Sequence, residues 1–415
     1  MTTVYRCFLV AYLSLHLQAV VSAIEPDNPK PIPQSRRAML EALEKLKSRP
    51  ARLPLADSQA TTQDVVNNAR MRIQYLPDEL SRRANPKANP TNPTDLSYRF
   101  STELFWIVSR INNCHYCLGH QEGKLLKIGV AEADLLALDT DWSHFTPKHQ
   151  AALSFTAKLT HQPHRIVQAD IDSMRSHYTS GEILEIAFLV GRYNATNRWT
   201  DSLGIPQEAH RTFTTQLGQA QLDLPSVVAV PATDDRTSTF NAEQWHQRLT
   251  KESADGRFSK LLEGGNGGLS DFVEQLLTRI PAAGQDWADQ VKNARRVGKL
   301  DNALKSKIAF VAAYEDRAWL MQDLALKQLG DFGITSQAAY ELHANSENET
   351  HSDSTSAALR FTKKLTSQPQ SMTDRDIEDL EPHFNAEEIA EIVYHTGMAA
   401  MLNRLTIVAT IATTE

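Results

Sequence analysis

Two cysteines three positions apart are the residues of this chain best suited to chemistry. Cys114 and Cys117 lie in the stretch INNCHYCLGH, with His115 between them and His120 just beyond. A C-x-x-C pair of this kind can ligate a metal, attach a haem, form a structural disulfide or act as a redox-active dithiol. Residues three apart on a helix share one face, so the two thiols can come within disulfide distance near a helix start.

The surroundings of the pair favour a reactive thiol. Asn112 or Asn113 is expected to cap a helix that begins here. The partial positive charge at a helix N-terminus lowers the pKa of a nearby thiol. A lower pKa increases the fraction of thiolate, which is the form that attacks peroxides and disulfides. His115 and His120 are candidate proton carriers close to this thiolate.

The other uses of the pair find less support in the sequence. Haem attachment requires a histidine directly after the second cysteine, where this chain has Leu118. A structural zinc site needs four ligands, so zinc would need His115 or His120 together with distant histidines. A disulfide that closes so short a loop adds little stability. An inert buried pair remains the alternative to a redox-active dithiol.

The N-terminus has the pattern of a secretory signal peptide over residues 1–23. Arg6 precedes a mostly apolar stretch, and residues 21–23 put small side chains at the positions that a signal peptidase reads. We therefore expect an exported protein, periplasmic or extracellular, in which cleavage removes Cys7; an N-terminal membrane anchor is the alternative. No later stretch approaches the roughly 18–20 apolar residues of a spanning helix, so we expect no membrane span in the mature chain.

Composition and patterning indicate a helical globular protein. The chain has 415 residues, of which 41% are hydrophobic and 22% charged, and this length predicts two or three domains. A net charge of −7 gives no basic surface for a phosphate backbone, so we expect no nucleic-acid partner. Helical spacing of apolar residues, first seen in RRAMLEALEKLK at 36–47, predicts an all-α fold. Residues 24–95 combine a Pro-rich leader with an N-terminal helical segment, and residues 223–240 have the prolines and polar residues of an interdomain linker.

The elements that must position the cysteines occur twice in the chain. AALSFTAKLTHQP at 151–163 returns as AALRFTKKLTSQP at 357–369, identical at ten of thirteen positions. EILEIAFLVGRYNATNR at 182–198 returns as EIAEIVYHTGMAAMLNR at 388–404, with the same offset of 206 residues. Identity of this extent predicts a tandem duplication of one helical domain.

We predict that residues 96–222 form the first copy and residues 241–415 a degenerate second copy. An offset of 204 residues applies before the insertion, and it places Cys114 opposite Ala318. Since the second copy lacks both thiols, the fold should not depend on them. Conversely, we expect packing or ion-pair roles for the polar residues that recur in both copies, among them Glu182, Glu185, Asn197 and Arg198.

Two stretches carry a family resemblance. ELFWIVSRINNCHYCLGHQEGKLLKIGV resembles the signature of the carboxymuconolactone decarboxylase/AhpD-like superfamily, especially its peroxidase-related (alkylhydroperoxidase) branch. EILEIAFLVGRYNATNRWTDSLGIP is similar to the closing helix of that family. The resemblance covers about residues 96–206 well and about residues 300–411 as a degenerate copy. It implies an AhpD-like helical domain duplicated in tandem.

The resemblance also implies roles for four residues. Cys117 would be the peroxidatic thiolate, which a hydroperoxide oxidises to sulfenic acid, and Cys114 would resolve it as an intramolecular disulfide. Glu103 and His120 would relay protons, although each lies one position away from the place usual in the family. The resemblance implies neither a metal nor an organic cofactor.

The expected function is therefore that of a thiol-dependent peroxidase or dithiol oxidoreductase, with a hydroperoxide as substrate and an unidentified dithiol as reductant. A non-enzymatic exported protein with a vestigial cysteine pair is the alternative. Lactone decarboxylation is less favoured, because the decarboxylase members of the superfamily use no C-x-x-C pair. Family members assemble by packing such helical units together, so the chain is expected to form a homo-oligomer or an intrachain pseudo-dimer.

Overall fold

The computed structural model describes residues 28–55, 65–82, 96–229, 259–265, 267–345 and 354–412. Within these ranges the chain is helical and contains no strand, which confirms the predicted all-α class; an isolated β-bridge joins Ser35 to Pro225. The predicted signal peptide and residues 230–240 of the predicted linker lie outside the described residues. No helix in the described part of the chain combines the length and the apolarity that a bilayer crossing requires.

The described helices are α1 Arg36–Lys45, α2 Asn67–Tyr75, α3 Asp78–Ser81, α4 Tyr98–Ile111, α5 His115–Lys127, α6 Glu132–Thr140, α7 Pro147–His161, α8 Gln168–Arg175, α9 Ser180–Ser202, α10 Gln219–Leu222, α11 Asp271–Arg279, α12 Gly284–Arg296, α13 Asn302–Asp316, α14 Trp319–Asp331, α15 Ser336–Asn345, α16 Ser354–Ser367, α17 Asp374–Glu378 and α18 Ala386–Ala412. The amphipathic helix predicted at 36–47 is confirmed as α1, followed by a 3-10 turn at Leu46–Ser48. Its apolar positions Met39, Leu40 and Leu43 are buried, as the helical spacing requires.

Residues 96–222 are here called the first half and residues 259–412 the second half; α4 to α9 of the first half are matched in order by α13 to α18 of the second. The turn from α4 to α5 has its counterpart between α13 and α14, 204 positions later. Asn113 and Arg317 occupy the left-handed region with the same φ of 54°. The next residue, Cys114 or Ala318, donates its backbone N–H to the carbonyl five residues earlier, at 2.8 Å and 2.9 Å respectively. The turn that presents the cysteines is therefore built without them in the second half.

The two halves pack through their long helices, α9 and α18, and the contacts are reciprocal. Gly191 lies against the backbone of Met401, and Gly397 lies against Ala195, which is the counterpart of Met401. From Gly191 to Ala195 along α9, the contacting residue on α18 moves back from Met401 to Gly397, so the two helices run antiparallel. Two arginines, Arg198 and Arg404, make reciprocal hydrogen bonds between the halves. Arg198 donates to the carbonyl of residue 366 at 2.9 Å, and Arg404 donates to the carbonyl of residue 160 at 2.9 Å.

We expect Gly191→Ala to destabilise this contact between the halves. A Cβ at Gly191 would lie 2.7 Å from the carbonyl oxygen of Met401, which is backbone and cannot move aside alone. Overpacking of this kind lowers the free energy of unfolding by about 1–3 kcal/mol, which urea unfolding measures. Gly330 on α14 is the control, because a Cβ there meets nothing within 4 Å. Gly330→Ala should raise the free energy of unfolding by up to about 1 kcal/mol, and equal losses in both variants would contradict the packing argument.

Candidate active site

The cysteine pair lies at the start of α5, but its cap differs from the sequence prediction. Cys114 itself is the N-cap residue, and its sulfur accepts from the backbone N–H of Cys117 at 3.4 Å. The expected caps are engaged elsewhere. The Asn112 amide donates to Asn194 and Asn197 on α9, and the Asn113 amide donates to the carbonyls of residues 30 and 31 in the leader. The prediction of an asparagine cap is therefore wrong, because both amide nitrogens turn towards segments distant in sequence and the Asn113 oxygen lies 2.9 Å from Nε2 of His115.

Both thiols are free, buried and directed at one hydroxyl group. Cys114 is 0% exposed and Cys117 is 2% exposed. The Thr200 hydroxyl on α9 lies 3.1 Å from each sulfur. It also lies 3.0 Å from the carbonyl of Thr196, one turn earlier in the same helix. A hydroxyl in this position can accept a hydrogen bond from a thiol or donate one to a thiolate.

The environment makes the two thiols unequal. Burial raises the pKa of Cys114, and the neighbouring Cys117 sulfur and the Asp201 carboxylate raise it further. Burial would raise the pKa of Cys117 as well, but hydrogen bonds from Cys114, Thr200 and Asn197 lower it below its ordinary range. Hydrogen bonds to the ionised form stabilise that form. Cys117 is therefore the thiol that ionises first.

A carboxylate from the segment after α9 organises the polar groups around Tyr116 and His120 on α5. Glu208 accepts from the Tyr116 hydroxyl at 2.8 Å, and its second oxygen lies 2.9 Å from Nε2 of His120. Arg211 donates to the same carboxylate at 2.9 Å, and its other nitrogen lies 2.8 Å from Nδ1 of His120. The Tyr116 and His120 rings pack together at a centroid distance of 4.4 Å. We call Tyr116, His120, Glu208 and Arg211 the Glu208 cluster.

The protonation states of the Glu208 cluster suit proton transfer. Burial lowers the pKa of His120, and the nearby Glu208 offsets this only in part. Burial alone would raise the pKa of Glu208, but His120, Tyr116 and Arg211 hold it well below its usual range. At neutral pH the cluster therefore contains a carboxylate beside a neutral imidazole. Because Arg211 can only donate, Nδ1 of this imidazole accepts from Arg211 and its Nε2–H donates to Glu208. The ring can take up a proton when Arg211 moves from Nδ1, and the carboxylate stabilises the imidazolium that forms.

The structure does not bring Glu103 together with the cysteines. Glu103 is 1% exposed, so it is not the solvated carboxylate that a helix start would offer. Its carboxylate accepts from Arg99 at 2.8 Å and lies 2.9 Å from Nε2 of His149. It precedes Ile111, the last residue of α4, by eight positions, or about 12 Å along the helix axis. Of the residues assigned by resemblance, Cys114, Cys117 and His120 share α5 and its cap, whereas Glu103 belongs to a separate pair with His149.

The leader closes over the dithiol turn and forms a cavity beside it. The cavity has a volume of about 260 Å³, and its lining includes His115, which lies between the two cysteines in the sequence, but neither cysteine. Its walls are mainly apolar, with prolines 31 and 33 from the leader and Ala38, Ala42 and Leu46 from the region of α1. The remaining lining residues are charged: Lys30, Glu41, Lys45 and Arg49. Lys30 is also ion-paired with Asp201, one residue beyond Thr200.

His115 should make the stability of the fold depend on pH. Burial lowers the pKa of His115 well below its ordinary value, and the positive charges of Lys30, Arg110 and Arg49 lower it further. Below about pH 6.5 the unfolded chain therefore binds a proton that the folded chain does not. The free energy of unfolding should fall by about 1.4 kcal/mol per pH unit from this residue as the pH drops from 6.5 to 5.

His115→Gln should remove that part of the pH dependence, as measured by urea unfolding at a series of pH values. His177, which is exposed, provides the control, and His177→Gln should leave the slope unchanged. An unchanged slope in His115→Gln would contradict the argument.

Sequence reasoning missed several residues of this site. Asn197 was expected to have only a packing role, yet it hydrogen-bonds to Asn112 and contributes to the lowered pKa of Cys117. Thr200 lies three residues beyond it, on the same face of α9, so helical periodicity offered a signal. Glu208 and Arg211 lie in a non-helical segment about ninety positions after α5 begins, and no local pattern points to them.

Within the described residues, no group of three histidine, cysteine or acidic side chains is arranged to hold a metal ion. A comparison with protein-family models gives no match to this chain, and a comparison with the curated proteins gives none either.

Proposed function

We propose that this chain is a thiol-dependent peroxidase that reduces hydroperoxides through Cys117 and Cys114. The observation that supports this most directly is the placement of two free thiols, three residues apart at a helix start, each 3.1 Å from one hydroxyl, that of Thr200. Cys117 has a lowered pKa and Cys114 a raised one, while Thr200 contacts both sulfurs at 3.1 Å. A peroxidatic thiol must be ionised to attack, and its partner must wait as a thiol until the sulfenic acid has formed.

The proposed reaction has three steps. The Cys117 thiolate attacks the terminal oxygen of the hydroperoxide, so that the O–O bond breaks, an alcohol leaves and Cys117 becomes a sulfenic acid. Cys114 then attacks that sulfur, which forms the disulfide and releases water. A dithiol reductant restores both thiols by exchange and leaves as a disulfide. We assign proton transfer to the Glu208 cluster, because His120 lies one helical turn from Cys117 on α5.

The cavity lined by His115 is the proposed approach for the substrate. Its mainly apolar walls favour the organic part of an alkyl hydroperoxide over hydrogen peroxide. Because both thiols are buried, a hydroperoxide must enter from such a cavity or after a local opening of the leader.

We further propose that the chain is a tandem duplication of an AhpD-like domain that acts as an intrachain pseudo-dimer. The reciprocal contacts at Gly191 and Gly397 support this, since isologous interfaces repeat each contact with the partners exchanged. The second half keeps the turn and replaces Cys114 by Ala318, so it is a packing partner in the peroxidase reaction. From the signal-peptide pattern we also propose that the reaction takes place outside the cytosol, where the dithiol reductant must then be supplied.

The decisive experiment is peroxide consumption by the purified protein with dithiothreitol as the dithiol. We expect cumene hydroperoxide to be consumed catalytically, and the protein treated without reductant to become lighter by two hydrogens, as mass spectrometry detects for an internal disulfide. Absence of both turnover and disulfide formation with cumene hydroperoxide and with hydrogen peroxide would refute the proposal.

One observation favours a second candidate, a non-enzymatic protein with a vestigial pair. Cys114 and Cys117 are almost fully buried, as inert thiols are. The pH dependence of alkylation by iodoacetamide separates the two candidates. A peroxidatic Cys117 should react with an apparent pKa below the usual value of about 8.5, whereas a vestigial pair should react slowly and only at higher pH.

A further inference from the structure

The second half contains a cavity where the first half has two stacked aromatic rings. In the first half, Phe105 on α4 and Tyr193 on α9 stack at a centroid distance of 4.0 Å. Their counterparts at offsets of 204 and 206 residues are Ala309 and Ala399. Both alanines line a cavity of about 60 Å³ between α12, α13, α14 and α18. This is several times the roughly 10–15 Å³ that one water molecule requires.

The cavity is lined by two cations and by no carboxylate. Lys305 is 3% exposed, and its ammonium donates to the carbonyl of Val297 at 2.7 Å. Arg295 donates to the neutral side chains of Gln328 and Ser306, at 2.7 Å and 2.9 Å. Among the residues that the structure describes, no carboxylate lies within 4 Å of either cation. Glu391 attracts Lys305 and Asp331 attracts Arg295, but only from beyond contact distance. A buried cation without a charged partner in contact is costly, so the cavity favours a negative group.

Two buried polar atoms in the cavity also lack a partner among the described residues. They are Nε2 of His395, a residue 8% exposed, and Oδ1 of Asn403, a residue 1% exposed. The Asn403 amide nitrogen donates to the carbonyl of Ala312 and to Asp316, which fixes Oδ1 as the free acceptor. His395 stands where the first half has Leu189, so the polar lining is a feature of the second half alone.

We propose that this cavity binds a small monovalent anion, of the size of a halide or nitrate. The anion would lie between Lys305, Arg295 and the Nε2–H of His395, while a water molecule would donate to Oδ1 of Asn403. The volume excludes a large organic anion, and the absence of a lining carboxylate argues against a cation. The apolar walls, which include Met321 and Leu324, lower the local polarity and so strengthen the attraction between the ion and the cations. The second half, which lacks the thiols, thereby acquires a ligand of its own.

Bromide is the probe, because it can be located by its anomalous scattering. We expect crystals soaked in sodium bromide to show one anomalous peak in this cavity. In solution, the thermal midpoint of the full-length protein should rise saturably with bromide when ionic strength is held constant with sodium gluconate, whose anion is too large for the site.

The first half supplies matched control variants. Ala399→Tyr and Ala309→Phe each restore a ring of the first half, and both should abolish the saturable rise by filling the cavity. Lys305→Met removes the buried cation and should weaken bromide binding at least 10-fold. The thermal midpoint of this variant without bromide should equal or exceed that of the unaltered protein. A cavity without an anomalous peak, or a bromide response that persists in all three variants, would overturn the proposal. If either Ala399→Tyr or Ala309→Phe fails to fold, the other of these two variants and Lys305→Met still test the proposal.

Discussion

Replacing Cys117 with serine should abolish turnover of alkyl hydroperoxides, whereas replacing Cys114 with serine should leave one reaction per molecule. The Cys117 thiol is the one whose pKa is lowered, so its loss removes the nucleophile. Loss of a nucleophile typically costs more than about 1,000-fold in rate. In Cys114→Ser, Cys117 can still be oxidised to the sulfenic acid, but no partner is present to form the disulfide. Hydroperoxide consumption should be measured with cumene hydroperoxide in excess and without dithiothreitol, because that thiol would itself reduce the sulfenic acid.

The two variants provide each other's control, because serine is nearly isosteric with cysteine at both positions. Dimedone, which reacts with sulfenic acids, should label Cys114→Ser after one equivalent of hydroperoxide and should fail to label Cys117→Ser. The reverse pattern would show that Cys114 is the peroxidatic residue, and the argument from the Thr200 and Asn197 hydrogen bonds would then be wrong.

Glu208→Gln should lower the peroxidase rate by about 100-fold, the usual contribution of a positioned acid–base group. Glutamine keeps the shape of Glu208 but removes the charge that stabilises a protonated His120. Because Glu208 raises the pKa of His120 against the effect of burial, the acidic limb of the pH–rate profile should move to lower pH in the variant. The measurement is kcat and KM for cumene hydroperoxide between pH 5 and 8.

Glu103→Gln is the matched control, because the family resemblance assigns the relay to Glu103. That carboxylate contacts Arg99 and His149, so its substitution should change the rate less than about threefold once the fraction of folded protein is accounted for. A large loss in Glu103→Gln with a normal rate in Glu208→Gln would reverse our assignment and restore the relay implied by the resemblance.

The helical class and the local elements could be read from the sequence because they depend on short-range patterns. The spacing of Met39, Leu40 and Leu43 predicted α1, and the structure buries all three. The helix start expected at the C-x-x-C pair is confirmed as the start of α5, although Cys114 and not an asparagine is its N-cap. The 206-residue offset between the repeats paired Arg198 with Arg404. The structure shows that these two residues make reciprocal contacts between the halves.

The remaining features of the site depend on contacts that no local pattern encodes. Glu208 reaches Tyr116 across 92 positions, and the Asn113 amide reaches the leader across 83. Such contacts appear only when tertiary packing brings the segments together, and packing also turned Asn112 and Asn113 away from the capping position. Burial of Glu103 has the same origin, because helix periodicity alone cannot decide which neighbour covers a carboxylate.

The antiparallel contact between α9 and α18 also has a consequence for how the protein behaves on dilution. In a dimer of separate chains, the fraction of paired subunits falls with concentration, and stability falls with it. Here the two surfaces belong to one chain, so their encounter is intramolecular and proceeds at a fixed effective concentration. The pairing around Gly191 and Gly397 should therefore persist at any abundance, in a fixed one-to-one ratio of the two halves. A protein released into a large volume, as we propose for this one, would benefit from that independence.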